Sequence, residues 1–386
     1  MPGPRRETCL PERRRRLIVS DEGAGVLITR LASVRHLTGF TGSSGVLWIP
    51  NPGLGGRPVL VTDSRYEEQA AREVDEEIGV AIASRGWPRE MAKVIAGSVK
   101  IPSGRPAGLG EVEFDPNALL VSDFNTLEAA LGPGFPLTPN RELTEDLRRT
   151  KDREEVRAIS DAIVASEQAL RELRASVDWS KRPAEAEVAA RLAVLLRLGT
   201  GEAPAFEPIV ASGPNSALPH HTPGSRRIRP GDLVLFDFGA RVDGYRADIA
   251  RTFLAAGDPE PWQEALHRAV LEANAAARSA AAAGEECREV DKSARNALDR
   301  HGLADRFGHS TGHGLGLEVH EPPSISRVSE QRLMPGDVVT IEPGAYLPGR
   351  GGVRIEDVLV IGSDRARSLS TLPRHLLPLQ PEKRTT

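Results

Sequence analysis

Apolar positions along the chain fall into two kinds of run. Long segments with apolar residues three or four apart predict helices from 152 to about 176 and over 184–198, 260–283 and 286–301. Asp152 followed by Glu155 reads as an N-cap and its reciprocal partner at the start of the first of these. Short apolar-rich runs punctuated by Gly, Pro and Asp predict strands clustered between 206 and 254 and again between 313 and 360. Upstream, strands are expected near 25–30, 45–49, 59–62 and 79–84, with helices near 66–75 and 87–98, which is an α/β pattern.

Two of the predicted strands, LVLFDFGA and YRADIART, flank Asp243-Gly244, the strongest short-range hairpin signal. A two-residue turn there makes Val242 face Tyr245, so that Asp237 faces Ala250 and Asp248 faces Gly239. Both aspartates then lie on one face of the ribbon, roughly 7–8 Å apart at the backbone as diagonal neighbours. Two carboxylates so placed repel each other unless a cation lies between them. Glycine at 239 suits a close approach of backbone or ligand. Glu342 ends the apolar run 337–342, and Pro343-Gly344 is expected to turn the chain after it. Glu356 lies in a run, 352–360, that reads as one return strand after the loop 348–352. The register across that loop is not set by its sequence. In STGHGLGLEVHE, His313 and His320 are seven apart, which in a regular strand puts them on opposite faces. His313 is assigned to metal and His320 to substrate or oxyanion. Four carboxylates and one imidazole form a hard, oxygen-rich donor set, suited to a pair of divalent cations.

The motifs ALPHHTP, LVLFDFGA, ADIARTF, HSTGHGLGLEVHE, TIEPGAY and GGVRIEDV resemble the signature series of the Xaa-Pro peptidases of the pita-bread metallopeptidase family, which includes aminopeptidase P and prolidase. VRHLTGFTGSSGVLW and LVTDSRYEEQA resemble the N-terminal domain of those enzymes. The resemblance implies an α+β fold: a curved antiparallel sheet flanked by helices, with the ligands on the sheet's inner face, preceded by a smaller α/β domain. It also implies that Asp237, Asp248, His313, Glu342 and Glu356 hold two divalent metal ions. Asp248 and Glu356 would bridge, Asp237 would serve one ion, and His313 and Glu342 the other. Manganese is the expected metal, with cobalt or zinc as substitutes. His220, with His221 as the alternative, matches the family's substrate histidine, and His320 its catalytic histidine. Glu342 is the expected proton carrier. His309 and Arg354 match residues of the proline-side pocket.

Length and composition are compatible with this. The domains are expected at 1–145 and 146–375, with a disordered tail at 376–386. A formal charge of −4 over 386 residues leaves no global basic field for nucleic acid. The arginine run at 13–16 reads as the solvated face of a first helix rather than a nucleic-acid or membrane tether. Two distant cysteines, Cys9 and Cys287, suggest no disulfide framework and fit a cytoplasmic setting. No stretch has the length of a membrane span. Partners are expected to be short proline-containing peptides and, by the family's habit, a second copy of the chain in a homodimer.

Three other readings are weaker. A metal-free creatinase-type enzyme or a catalytically dead peptide-binding fold would be expected to have lost ligands, and none is missing. A phosphate loop at Gly312-His-Gly-Leu-Gly316 lacks the following helix and the Lys-Ser/Thr pair. Within the family, the sequence reading favours the aminopeptidase over the dipeptidase.

Overall fold

In the computed structural model, residues 10–17, 23–84, 86–98, 110–140 and 144–380 are described. The chain divides into two compact units, Met1–Arg148 and Arg149–Thr386.

The first unit contains helices Leu10–Arg16 (α1), Leu31–Thr38 (α2), Glu67–Glu73 (α3), Trp87–Ser98 (α4) and Val121–Leu131 (α5). Its strands are Gly25–Ile28 (β1), Val46–Pro50 (β2), Val59–Asp63 (β3), Gly79–Ala83 (β4), Val112–Phe114 (β5) and Leu137–Pro139 (β6). They form one mixed sheet in the order β4-β3-β2-β1-β5-β6. Both faces are covered, which is why its strands carry apolar residues at consecutive positions. Leu27 and Trp48 enter one core, while Val26, Ile28, Leu47 and Ile49 enter the other. The sequence reading found four of these strands and missed α2, α5, β5 and β6. The strands β5 and β6 have three residues each, too few to show a period.

Only half of the arginine run is a solvated face. Arg13 and Arg14 are buried, each 7 % exposed. Arg14 donates to the carbonyl of Leu37 and to the carboxylates of Asp75 and Glu77, so its charge is matched inside the unit. Arg15 and Arg16 are the exposed members of the run. Charge alone cannot say which side of a seven-residue helix faces inward.

After the short helix Glu145–Arg149 (α6), the second unit opens with Arg153–Ser176 (α7) and Glu185–Thr200 (α8). The expected capping box is present: the Asp152 side chain accepts from the N–H of Glu154 and Glu155, and Glu155 accepts from the N–H of Asp152. Strands Ile209–Ser212 (β7), Leu233–Phe238 (β8), Arg241–Val242 (β9), Tyr245–Arg246 (β10) and Ile249–Leu254 (β11) follow. Of these, β11, β8 and β7 form an antiparallel sheet. Helices Pro261–Ala280 (α9) and Cys287–Asp299 (α10) come next. The rest is mainly sheet: Gly312–Gly314 (β12), Glu321–Ile325 (β13), Val338–Ile341 (β14), Gly344–Leu347 (β15), Gly351–Arg354 (β16), Asp357–Ile361 (β17) and Ala366–Ser368 (β18). Small residues on α9 and α10 (Ala269, Ala273, Ala277, Ala294, Ala297) let both helices lie close to Ile341, Val353, Ile355 and Leu359 in one core. The architecture is α+β, with helices packed on antiparallel sheets.

Two boundaries differ from expectation. The run 352–360 is two strands: β16 pairs with β15, and β17 pairs with β14. Pro343-Gly344 likewise does not end the strand system, because Gly344 begins β15. Residues 376–380, expected as part of a disordered tail, are held in place. Leu379 is fully buried and its N–H donates to the carbonyl of Leu254 at 2.7 Å. Residues 381–386 of that tail, and Cys9, lie outside the described residues.

Candidate metal centre and substrate pocket

The Asp-Gly turn forms as its sequence requires. Asp243 (φ 49°) and Gly244 (φ 77°) both adopt positive φ, the geometry of a two-residue hairpin turn. Val242 pairs with Tyr245 and Asp237 with Ala250, the expected register. A Cβ on Gly239 would lie 1.8 Å from the carbonyl oxygen of Ala247, so only glycine allows the two chains to close here. Asp237 and Asp248 are both buried and both line one cavity of about 810 Å³.

His313, Glu342, Glu356, His220, His309, His320 and Arg354 line the same cavity. Every expected site residue therefore converges. Ligand atoms of Asp248, His313 and Glu356 lie within 4.8 Å of one another. Nε2 of His313 is 3.7 Å from Asp248 Oδ2 and 3.4 Å from Glu342 Oε1. Its Nδ1 donates to the carbonyl of Gly314 at 3.0 Å, which fixes the tautomer and leaves the Nε2 lone pair facing the carboxylates. Burial, followed by the neighbouring His320, lowers the His313 pKa to about 4, so the ring is neutral and able to ligate.

The donor set fits divalent cations on its own chemistry. Burial and mutual repulsion push Asp248 and Glu356 well above the usual carboxylate range. Burial raises Glu342 to about 7, and Oδ1 of buried Asp237 has no hydrogen-bond partner. A cluster of buried carboxylates with an orphaned oxygen and a neutral imidazole is stabilised by positive charge placed among them.

His313 and His320 are not on opposite faces. The ring centroids are 4.4 Å apart in a T-shaped pair. A regular strand lasts only to Gly314, with a break in register between His313 and Gly314, and the chain then doubles back so that both rings enter the pocket. His221 turns away from it: its Nε2 lies 2.8 Å from the buried carboxylate of Glu185. His220 is the member of the pair that lines the cavity.

Arg354 is fully buried. Its Nε donates to the hydroxyl of Tyr346 at 3.0 Å, Nη2 to the carbonyl of Pro219 at 2.9 Å, and Nη1 to Oδ2 of Asp237. Burial opposes its charge, but Tyr346, Asp237, Glu342 and Glu356 outweigh burial and hold the guanidinium protonated. His309 donates from Nδ1 to the carbonyl of Ser310, so its Nε2 accepts from the Tyr346 hydroxyl at 2.8 Å. Burial, and then Arg354, lowers His309 to about 3, while burial raises Tyr346 to about 12. Tyr346 thus joins His309 to Arg354. The sequence reading missed it because its partners, His309 and Arg354, lie on other segments of the chain. It also missed Arg246, which lines the cavity and donates from Nε to the carbonyl of Leu317.

Helix-flanked antiparallel sheets around buried carboxylates and imidazoles define a pita-bread metal-dependent hydrolase. The chain belongs to metallopeptidase family M24, which residues 157–363 match, and residues 12–150 match the creatinase/prolidase N-terminal domain. It is 42% identical over 236 residues to the Xaa-Pro dipeptidase of Pyrococcus furiosus, covering 61% of this chain and 67% of that one. Among solved structures it resembles an Xaa-Pro dipeptidase from Bacillus anthracis (TM-score 0.85, 32% identity, 95% of this chain and 98% of that one). It is similarly close to an X-Pro aminopeptidase from Thermotoga maritima (TM-score 0.83, 33% identity, 95% and 99%). Among the described residues, no helix is long and apolar enough to cross a membrane.

Proposed function

We propose that this protein is an Xaa-Pro dipeptidase, hydrolysing the bond between an amino-terminal residue and a following proline. The dipeptidase reading replaces the aminopeptidase favoured from sequence, because similar proteins named for dipeptides support it at least as well. The observation that carries the peptidase reading is the convergence of five ligand-type side chains on one cavity that His220, His309, His320 and Arg354 also line. The buried guanidinium of Arg354 in the same cavity also suits a substrate carboxylate, which a dipeptide presents next to its proline ring.

Asp237, Asp248, His313, Glu342 and Glu356 would hold two divalent ions. Bound there, the ions supply Lewis-acid polarisation of the scissile carbonyl and acidify the attacking water. Manganese is our choice from the carboxylate-rich set, with cobalt or zinc as substitutes. Glu342, which lines the cavity beside His313, takes a proton from the water and returns it to the leaving proline nitrogen. That nitrogen has no hydrogen in the intact peptide and must gain one to leave. Partial desolvation lowers the pKa of His320, so as a neutral ring it donates a hydrogen bond to the developing oxyanion. His220 supports it, and Asp237 would hold a free substrate amine. His309 and Arg354 bound the proline side. A homodimer in the cytoplasm completes the reading; light scattering tests the dimer.

The deciding experiment incubates manganese-loaded protein with Ala-Pro and Ala-Pro-Ala in parallel and follows products by mass spectrometry. Preferential cleavage of Ala-Pro is expected. Preferential release of alanine from the tripeptide would establish the aminopeptidase instead. Cleavage of neither, with metal confirmed bound, would overturn both.

A further inference from the structure

His220 stands on a segment with little regular structure of its own. Between Ser212, the last residue of β7, and Leu233, which opens β8, the only helix or strand is the 3-10 turn Gly213–Ala217. A histidine that must meet a reacting carbonyl needs its backbone held to a fraction of an ångström, so something outside this segment must fix it.

Glu185, the first residue of α8, does so. Its side chain is fully buried. Oε1 accepts from the N–H and the hydroxyl of Ser212, both at 2.7 Å, and from Asn215 Nδ2 at 3.1 Å. Oε2 accepts from Asn215 Nδ2 at 3.0 Å, from His221 Nε2 at 2.8 Å and from the N–H of Gly224 at 3.5 Å. Burial would raise this carboxyl, yet the donors, Ser212 and His221 foremost, outweigh it and keep the group below its ordinary value. The donors straddle His220: Ser212 and Asn215 precede it, and His221 and Gly224 follow. One buried carboxylate therefore ties both limbs of the loop.

The opposite side of the loop rests on β16. The N–H of Gly352 donates to Ser216 Oγ at 2.9 Å, and a Cβ on Gly352 would lie 2.3 Å from the carbonyl oxygen of Ser216. Arg354 holds the carbonyl of Pro219, next to His220. The adjacent histidines thus divide their work, His220 lining the cavity and His221 joining the anchor.

We propose that Glu185 is a positioning residue whose carboxylate, through Ser212, Asn215 and His221, presents His220 to the substrate. The inference rests on the reading of His220 as a substrate-contacting histidine. Its bland rival is that Glu185 merely stabilises the domain, in which case its loss would weaken catalysis whether or not His220 is present.

A double-mutant cycle separates the two. Manganese-loaded parent, Glu185→Gln, His220→Ala and the double variant are compared by kcat/KM on Ala-Pro, with bound metal and melting temperature measured for each. Glutamine keeps the volume but turns an amide NH₂ toward donor-only groups, the Ser212 N–H on one side or Asn215 Nδ2 and the Gly224 N–H on the other. Glu185→Gln is expected to lower kcat/KM about 10-fold to 100-fold with metal content unchanged. In the His220→Ala background it should have less than about a twofold further effect, as coupled sites behave. Equal losses in both backgrounds, or no loss in either, would overturn the inference while leaving the role of His220 intact. Parent-level activity of His220→Ala alone would instead remove the reading of His220, and the inference with it. Should Glu185→Gln not fold, His221→Ala carries the same comparison, with a smaller loss that must again vanish when His220 is absent.

Discussion

Glu342 stands opposite Glu356 in a kinked hairpin. Ile341 pairs with Asp357 on one side of the kink and Gly344 with Arg354 on the other, so a single register runs through it and sets the two glutamates facing each other. Two facing carboxylates repel, and both side chains line the pocket. At this point Nδ2 of Asn274, fully buried on α9, donates to the carbonyls of Ile341 and Ile355 at 3.1 Å each. These are the residues immediately before the two glutamates.

Asn274→Ala should therefore loosen the metal centre from behind. The asparagine leaves its own Oδ1 buried without a partner, a cost that its two donated bonds offset. Removing it strands two carbonyls at roughly 1–3 kcal/mol, and manganese affinity should fall about tenfold. Competition against a fluorescent chelator measures this; an unchanged Kd would show that the strands hold the glutamates unaided.

Asp248 and His320 should separate metal binding from turnover. Asp248→Ala is expected to lose both bound metal and activity; two retained ions with full activity would reject its bridging role. His320→Ala should keep its metal while kcat falls roughly 10²–10³-fold, the usual loss of an oxyanion donor. Metal analysis beside steady-state kinetics distinguishes them. Metal loss in His320→Ala would mean that the roles of His313 and His320 are exchanged.

Gly239→Ala tests the close approach behind the first ligand. A methyl group there must displace the Ala247 carbonyl, and overpacking of this kind costs about 1–3 kcal/mol. Because Asp237 and Asp248 flank that contact, bound metal should fall together with the urea midpoint. A variant with the parent midpoint would show that the ribbon opens freely.

Acid stability should depend on His267. Its ring is buried, and desolvation followed by repulsion from His375 lowers its pKa from 6.5 to about 4. The unfolded chain then binds more protons between these values, so stability is complete above pH 6.5 and is lost as pH falls toward 4. The loss is at most about 3 kcal/mol. Urea midpoints at pH 7 and pH 4.5 should show the parent losing stability relative to His267→Gln as pH drops. Parallel pH profiles would refute the assignment.

Several features were legible because they are local. The capping box at Asp152 and Glu155 involves residues three apart, and the Asp243-Gly244 turn determines its own register. That register already placed Asp237 against Ala250 and put both aspartates on one face. The arginines at 13–16 were not legible, since the partners that match Arg14, at Leu37, Asp75 and Glu77, are remote in sequence. Nor was the meeting of His313 and His320, because the break after His313 depends on β13 and not on the histidines' own spacing. Tyr346 and Glu185 escaped for the same reason: each matters through partners on other elements.

By itself the sequence determined most helices, most strands, one hairpin register and the identities of the ligand-type residues, all of which depend on neighbours within a few positions. Tertiary structure decided that Glu342 faces Glu356, because a glycine-rich loop imposes no register and only pairing on both sides of the kink can select one. It also decided which histidine of His220-His221 enters the cavity, because a buried carboxylate on a separate helix captures the other.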